Sequence, residues 1–462
     1  MLRRQVWIAN ALLVTAVVGV VGAGVFGVVL YSAARARASV AAHPPRHVAP
    51  PVSGAYVQGG APRADPALAD LLHGPLTELV VETDRDRERG GMDAERRTQM
   101  LRDLGAPPAI VAHGPALASA WASMISALDR WVYVPRSGRD YDGVVDTFKD
   151  HVRAVSDQLA AAGLAYYLEG DIVTSGRAAH AVVYAYRVEE VVFVTTAGAP
   201  RRVLGLRRLD DLNFEHSMLG MQSEDLGDPV VLLDQIDDHV ARRLVPLLAP
   251  DAGYPLGGRG ARSDDELEPT RVLAGAAVRA ELTGALGADR SREHLARLVA
   301  ASIRRHEAQH GVDEDREAAG ERRPYPAALA EHIGAADDAA GHPRNYVDHC
   351  RNELSAYASQ LANDPLTPRT AYFQLVNFAF ERRLWGTPES FAAVILSERL
   401  AAHLTPGGGP PLEVIHDGAI DRARLAGMAR TVTAASPDAL RAAARATWRD
   451  LYDEDYTPIV DR

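Results

Sequence analysis

The chain has 462 residues, of which 47% are hydrophobic and 24% are charged. This composition is sufficient for two or three globular domains and excludes a disordered, highly charged polymer. The net charge of −11 argues against a nucleic-acid partner, because a surface that binds nucleic acid is usually basic. The single cysteine excludes an intramolecular disulfide and a cysteine-rich zinc site. Any metal site must therefore be built from carboxylates and from the 16 histidines.

The amino terminus carries a long apolar segment. Val6 to Tyr31 contains no charged side chain, and about 20 apolar residues are enough to cross a bilayer as a helix. We therefore predict an uncleaved transmembrane signal-anchor at residues 1–31, which makes the chain a single-pass membrane protein. The alternative is a cleaved signal peptide, since Ala34-Arg35-Ala36 and Ala36-Arg37-Ala38 match A-x-A cleavage sites. Both interpretations place the bulk of the chain outside the cytoplasm, on the periplasmic or extracellular face.

Composition divides the rest of the chain into three parts. Residues 32–65 are rich in alanine, proline and arginine and have no apolar periodicity, which predicts an extended linker. Residues 66–250 predict an α+β domain and residues 270–462 a helical domain, with a glycine- and proline-rich boundary at 251–269. The expected fold class is therefore α+β and mostly helical, behind the amino-terminal transmembrane helix.

A small antiparallel sheet is predicted near residues 164–209. Apolar residues alternate with other residues in Leu164–Val173 and in His180–Val188, as they do in half-buried strands. Glu189-Glu190 shifts this alternation, which indicates a β-bulge or a turn. Ala197-Gly198-Ala199-Pro200 then predicts a hairpin turn into a return strand.

Helical patterns flank this sheet in the sequence. They are predicted at Leu117–Trp131, Val144–Ala162 and Val230–Leu248. In the carboxyl-terminal domain, one helix is expected over Thr270–Leu286, closed by Gly287, and a second from Asp289 or Ser291 onward. No further strand is expected after that point.

This last helix carries the sequence His306-Glu307-Ala308-Gln309-His310, an H-E-x-x-H motif. Histidines four residues apart lie on one helical face, so both imidazoles can bind one metal ion. Glu307 is then placed to act as general base toward water at that ion. The histidines continue an apolar stripe, which directs them toward the interior; its members are Leu295, Val299 and Ile303. Gly311 is expected to end the helix.

A catalytic zinc ion normally has three protein ligands and one open position. The continuation H-x-x-G-x-x-H, which supplies a third histidine in some zinc enzymes, is absent after His310. A glutamate on a later helix is the alternative. Glu353 lies in the predicted helix Asn345–Leu361, beside its apolar side, and is followed by small residues that allow close helix packing.

With these two segments, the chain resembles a zincin metallopeptidase of the gluzincin type. The resemblance covers residues 291–361 and implies that His306, His310 and Glu353 bind Zn²⁺ and that Glu307 activates water. Two departures from the family pattern are visible. Forty-two residues separate His310 from Glu353, more than in the best-known members. Tyr357 stands where many members have an acid that orients a histidine ligand.

Tyr357 has three interpretations. Its hydroxyl can donate a hydrogen bond to a ligand, or it can stabilise an oxyanion as a catalytic phenol, or its ring can simply pack between helices. His349, one turn before Glu353, is an alternative third ligand or a proton donor. Further possible proton donors are Tyr346, Tyr372 and His416.

Other residues near the motif have less specific expectations. Asp313 and Asp315 are assigned to a solvated loop, and Cys350 to a small buried position. Gly257-Gly258-Arg259-Gly260 lacks the lysine of a phosphate-binding loop and follows no clear strand, so it does not indicate nucleotide binding.

The expected function is that of a membrane-anchored zinc metallopeptidase acting on a protein or peptide substrate, with Glu307 as general base. The predicted sheet either offers an edge strand to an extended substrate or belongs to a separate binding or inhibitory domain. The alternative function is a non-enzymatic, envelope-anchored helical binding module, with or without a structural metal.

Overall fold

The computed structural model describes residues 62–82, 94–130, 134–135, 141–175, 178–196, 199–209, 219–221, 228–257, 267–336, 345–405, 415–416 and 419–461. The predicted anchor at 1–31 and nearly all of the predicted linker at 32–65 lie outside these residues. Among the residues that are described, no helix is long and apolar enough to span a bilayer.

The chain divides into two compact units. One comprises residues 48–332 and 350–462, and the other comprises residues 1–47 and 333–349. The predicted sheet and both motif segments belong to the larger unit. The described part of the smaller unit consists of one end of each of two helices.

Helices come first along the chain. Their bounds are Pro66–Leu71 (α1, continued by a π turn at Leu72–Leu76), Ala94–Gly105 (α2), Pro108–Val111 (α3), Pro115–Arg130 (α4) and Tyr141–Ala161 (α5). Trp121 and Phe148 are fully buried where α4 and α5 pack together. The chain leaves α5 through Gly163, whose φ of 68° is readily adopted only by glycine, as the predicted helix end requires.

All but the first strand of the main sheet follow α5 in the sequence. Its strands are Val134–Pro135 (β1), Tyr166–Ser175 (β2), Ala178–Thr196 (β3), Ala199–Arg208 (β4), Gly220–Met221 (β5) and Val230–Leu232 (β6), with a carboxyl-terminal strand described below. The order is β1-β3-β4-β6-β5, with β2 also paired to β3. The antiparallel β2–β3–β4 meander is confirmed, and so is the bulge, because the β3–β4 register shifts between Val188 and Glu190. Residues 197–198, at the predicted turn, lie outside the described residues.

The sheet is mixed rather than purely antiparallel, which corrects the prediction. Val230–Leu232 was expected to begin a helix but forms β6, which pairs in parallel with β4. All three β6 residues are buried, and a short apolar run of this kind has no period that separates a buried strand from a helix. The helix begins only afterwards, at Leu233–His239 (α6), and continues through π and 3₁₀ turns to Leu248.

The carboxyl-terminal part is helical. Its helices are Glu268–Leu286 (α7), Arg292–Ala318 (α8), Ala327–Ile333 (α9), Asn345–Asn363 (α10), Pro368–Phe380 (α11), Pro388–Leu404 (α12), Arg422–Ala434 (α13) and Pro437–Tyr452 (α14). Gly287 follows α7 with a φ of 56°, and the Ser291 Oγ accepts a hydrogen bond from the His294 amide at the start of α8. Both predicted helix boundaries are thus confirmed.

Strands do return in this part, contrary to the prediction. Ile415–His416 (β7) and Ala419–Ile420 (β8) form a two-stranded ribbon, and Ile459–Asp461 (β9) pairs with the end of β3. Segments of two or three residues are too short for an apolar alternation to be detected. Their strand character depends on the partner strand instead of on their own sequence.

The helix α8 does not end at Gly311 but continues to Ala318. A Cβ at Gly311 would lie 2.4 Å from the Arg201 Nη1, so this glycine makes room for a side chain of β4. The Arg201 guanidinium forms an ion pair with Asp315 on the next turn, and Asp313 receives a hydrogen bond from the Ser355 hydroxyl. Asp313 and Asp315 therefore lie on a helix and not in the loop that was predicted.

Candidate metal centre

Two helices bring the motif residues together. Leu295, Val299 and Ile303 of α8 are buried as predicted, and His306, which continues their stripe, is only 6% exposed. Below this stripe α8 contacts β5, β6 and α6. Glu353 projects from α10 toward the same face of α8. The contacting residues His306, His310 and Glu353 all belong to the larger compact unit.

The potential ligand atoms form a compact triangle. The His306 Nε2 and His310 Nε2 are 3.1 Å apart. The Glu353 Oε2 lies 3.5 Å from the His306 Nε2, and the other carboxylate oxygen, Oε1, lies 3.6 Å from the His310 Nε2. One ligand atom from each of the three side chains lies within 4.8 Å of the other two. A tetrahedral zinc ion with ligands at about 2.0–2.1 Å holds its ligand atoms about 3.3–3.4 Å apart. The three side chains therefore lie close enough together for small side-chain shifts to bring one ligand atom from each around a single zinc ion.

The chemistry of these donors also fits a cation. Two imidazole nitrogens in such close contact repel each other through their lone pairs unless a proton or a cation lies between them. Burial lowers the pKa of His306, but the hydrogen bond and the charge of Glu353, with the charge of Glu307, outweigh burial and raise it. Negative charge thus accumulates where a cation would bind. Within the described residues this is the one His/Cys/Asp/Glu group of metal-binding geometry.

The alternative third ligand, His349, is placed differently. Its side chain is exposed and it does not belong to this group. Glu353 is the residue that the geometry brings to the two histidines, as the resemblance implied.

Tyr357 lies against the first histidine. Its ring meets the His306 ring at a centroid distance of 4.3 Å and an angle of 63°, an edge-to-face contact. Burial, followed by the charges of Glu353, Glu389 and Glu307, holds the pKa of Tyr357 well above its usual value. The phenol therefore stays protonated and remains a hydrogen-bond donor at every physiological pH.

Glu307 is buried beside the triangle, with 4% of its surface exposed. Burial raises the pKa of its carboxyl to about 8, and the nearby charges act in opposite directions: His306 lowers it and Glu353 raises it. A carboxyl that titrates near neutral pH can both accept and release a proton, which is what general base and acid catalysis requires.

Gly220 of β5 packs directly on Glu307, a contact that the sequence did not indicate. A Cβ at Gly220 would lie 2.5 Å from the Glu307 Oε1 and 2.8 Å from the Ile303 Cγ2. Only a residue without a side chain fits there. No periodicity marks the Gly220–Met221 strand, so the sequence contained no signal for this residue.

The raised pKa of Glu307 predicts a pH-dependent stability of the metal-free protein. The folded-state pKa is about 8, above an unfolded value of about 4.3, so Glu307 costs stability as pH rises from 4.3 to 8. We expect the metal-free Glu307→Gln variant to be more stable than metal-free wild type at pH 8.5, by at most about 5 kcal/mol, and to lose this advantage by pH 4.5. Urea unfolding at both pH values measures the difference. A constant difference between the two pH values would contradict the burial of this charge.

Of the other candidate proton donors, Tyr372 has a hydrogen-bond partner between two other helices. The Tyr372 hydroxyl is buried and bonded to the Ser397 Oγ at 3.0 Å, between α11 and α12. Tyr346 is 40% exposed, and His416 lies in the short ribbon strand β7. Cys350 is buried, as predicted.

Comparisons with known proteins add no relative. No family model matches the chain, and no curated protein or solved structure is significantly similar to it. The function of the site is therefore argued from its own geometry and chemistry.

Proposed function

We propose that the protein is a zinc-dependent peptidase in which His306, His310 and Glu353 bind the metal and Glu307 is the general base. The observation that carries this proposal is the group of three ligand side chains, which offer one ligand atom each within 4.8 Å of one another, next to a buried glutamate that does not belong to the group. The donor set of two histidines and one glutamate is that of known catalytic zinc sites.

When bound, zinc supplies a positive charge that polarises a substrate carbonyl and acidifies water. The proton transfers are assigned to a side chain of the protein. Glu307 takes a proton from the attacking water and passes it to the leaving amine. A cation at the triangle lowers the pKa of Glu307 from the value of about 8 that burial produces, so the carboxylate is the resting form at neutral pH.

Tyr357 has two tasks in this proposal. Its ring holds the His306 imidazole from the side, and its hydroxyl, which remains protonated, donates a hydrogen bond to the negative oxygen that develops on the substrate. The packing interpretation of this tyrosine and the catalytic one are therefore compatible.

The sheet is proposed to receive the substrate. β5 is the last strand in the order of the sheet, and its Gly220 lies against Glu307. An extended peptide that adds to such an edge strand passes directly over the general base.

Gly220→Ala is expected to lower kcat by about 10-fold to 100-fold while zinc remains bound. The added Cβ would overlap the Glu307 carboxylate and displace it, and small misplacements of catalytic groups have effects of this size. Hydrolysis of an unfolded protein substrate and zinc content measure the two quantities. Gly284→Ala is the matched control, because a Cβ there meets no atom within 4 Å. Unchanged hydrolysis in Gly220→Ala would contradict the contact.

The location of this activity remains a proposal from the sequence. The apolar residues 1–31 anchor the chain in a membrane, with the peptidase on the periplasmic or extracellular side. Cleavage of the full chain by a membrane-impermeant protease added to cells whose outer membrane, if present, has been removed measures the side, and a chain that stays uncleaved until the inner membrane is lysed would contradict the proposal.

Zinc content of the purified full-length chain tests the proposal most directly. About one zinc ion per chain, lost together with hydrolytic activity on chelation and regained on zinc addition, is the expected result. A chain that binds no zinc under these conditions would instead support the non-enzymatic binding module.

A further inference from the structure

A buried polar chain leads away from the second ring nitrogen of His306. Its members are Gln360 on α10, Ser302 on α8 and Asp364 just after α10, and each is at most 4% exposed. The Gln360 Nε2 donates to the Ser302 Oγ at 3.0 Å, and the Ser302 Oγ donates to the Asp364 Oδ2 at 2.6 Å. A buried polar network of this kind is costly unless every member is satisfied.

The direction of every hydrogen bond in this chain is determined by Asp364. Its carboxylate also accepts from the Leu366 amide, the Thr367 amide and the Thr367 hydroxyl, at 2.8–3.0 Å. An ionised carboxylate is an acceptor only, and these donors fill its lone pairs. Ser302 must therefore give its single proton to Asp364, and its oxygen can only accept from Gln360.

Since the Gln360 amide nitrogen faces Ser302, its carbonyl oxygen faces the opposite way. The His306 Nδ1 and the Gln360 Oε1 are both buried without a partner of good hydrogen-bond geometry among the described residues. The two side chains are placed on facing sides of the two helices. Gln360 bonds to Ser302, which lies one turn before His306 on α8, and Gln360 comes about one turn after Tyr357, whose ring packs on His306. In a contact between the two orphaned atoms the carbonyl can only accept, which agrees with the upward effect of Gln360 on the pKa of His306.

We infer that Asp364, Ser302 and Gln360 form an ordered hydrogen-bond chain that holds His306 as the Nδ1–H tautomer, so that the Nε2 lone pair is directed at the metal. Gln360 is thus a positioning residue, and the inference rests on the proposed function of the site. A reversed amide would make the Nδ1 an acceptor and place the proton on the Nε2, where it would block metal binding. The carboxylate of Asp364 thus determines, through Ser302 and Gln360, which ring nitrogen of His306 carries the proton.

Gln360→Met tests this chain because methionine has a similar size and neither accepts nor donates as an amide does. We expect zinc affinity to fall by about 10-fold to 100-fold, which is typical when the support of a ligand is removed. Zinc affinity is measured on the full chain by competition with a chelator of known affinity. Gln309→Met is the matched control, since Gln309 is equally buried and donates instead to the Asp313 carboxylate.

The tautomer of His306 is a second readout. It would not change if Gln360 had only a packing role. It is measured by long-range ¹H–¹⁵N spectra of the metal-free chain labelled at histidine, at pH 9, with the His306 signals assigned from His306→Ala. Wild type is expected to show the Nδ1–H form, and Gln360→Met a shift toward the Nε2–H form that free histidine prefers. Gln360→Glu keeps an acceptor next to the Nδ1 and is expected to restore both the tautomer and zinc affinity to within a few-fold of wild type.

Two results would overturn the inference: an Nε2–H tautomer in the wild-type protein, or a Gln360→Met variant with the tautomer and zinc affinity of wild type. Failure of the proposed function is a separate outcome. A chain that shows the Nδ1–H tautomer but binds no zinc would leave the hydrogen-bond chain in place and remove the peptidase.

Discussion

Glu307→Gln is expected to lower kcat for peptide hydrolysis by about 10²-fold to 10⁴-fold while zinc stays bound. Glutamine keeps the shape of the side chain but cannot accept a proton from water. Because Glu307 lies beside the ligand triangle and does not belong to it, the metal site itself should persist. The kinetics of an unfolded protein substrate give kcat, and metal analysis of the same sample gives the zinc content.

Glu398→Gln is the matched control for this experiment. Glu398 is also a buried glutamate, at 6% exposure, but it faces His332 and not the ligand triangle. We expect this variant to retain hydrolysis within a few-fold of wild type. Hydrolysis by Glu307→Gln at the rate of wild type would show that the general base is a different residue.

The second large effect is expected on zinc affinity, when any one of the three proposed metal ligands is removed. His306→Ala, His310→Ala and Glu353→Ala should each lower zinc affinity by more than about 100-fold, beyond the 10-fold to 100-fold loss typical of supporting residues. Each substitution removes one of three donors whose ligand atoms lie within 4.8 Å of one another. Hydrolysis should disappear in parallel, and zinc should no longer raise the melting temperature, because ligand binding to the folded state is what raises it.

His349→Ala distinguishes the two sequence candidates for the third ligand. His349 is exposed and stands outside the ligand triangle, so its removal should leave zinc affinity unchanged. Zinc bound by Glu353→Ala but lost from His349→Ala would reverse the assignment. The four variants together therefore test each ligand separately, without reference to any substrate.

Much of the fold follows from residues that are close in sequence. Gly287 and Ser291 mark the end of one helix and the start of the next because a positive φ and an N-cap act within a few residues of the boundary. The bulge near Glu190 is visible for the same reason, since it interrupts an alternation inside one strand. The burial of His306 likewise follows from the phase of its own helix.

The incorrect predictions for Gly311, β6 and β9 have a common cause, which is contact with residues far away in the sequence. Glycine is typical of helix ends, yet α8 continues through Gly311 to Ala318. The glycine is explained instead by Arg201 of a distant strand, whose side chain occupies the space beside it. β6 and β9 are strands because β4 and β3 pair with them, and two or three residues alone contain too little periodicity to show it. A local pattern cannot report a partner that lies far away along the chain.

The same division applies to the site. The sequence by itself determined that His306 and His310 share a helical face, that Glu307 stands next to it, and that carboxylates and histidines must supply any metal ligand. Only the tertiary structure brought the Glu353 carboxylate next to the two histidines, and only the tertiary structure placed Gly220 against Glu307. The physical reason is that helical spacing orders side chains within one element, whereas metal coordination and buried hydrogen bonds require atoms of several elements to meet within a few ångströms.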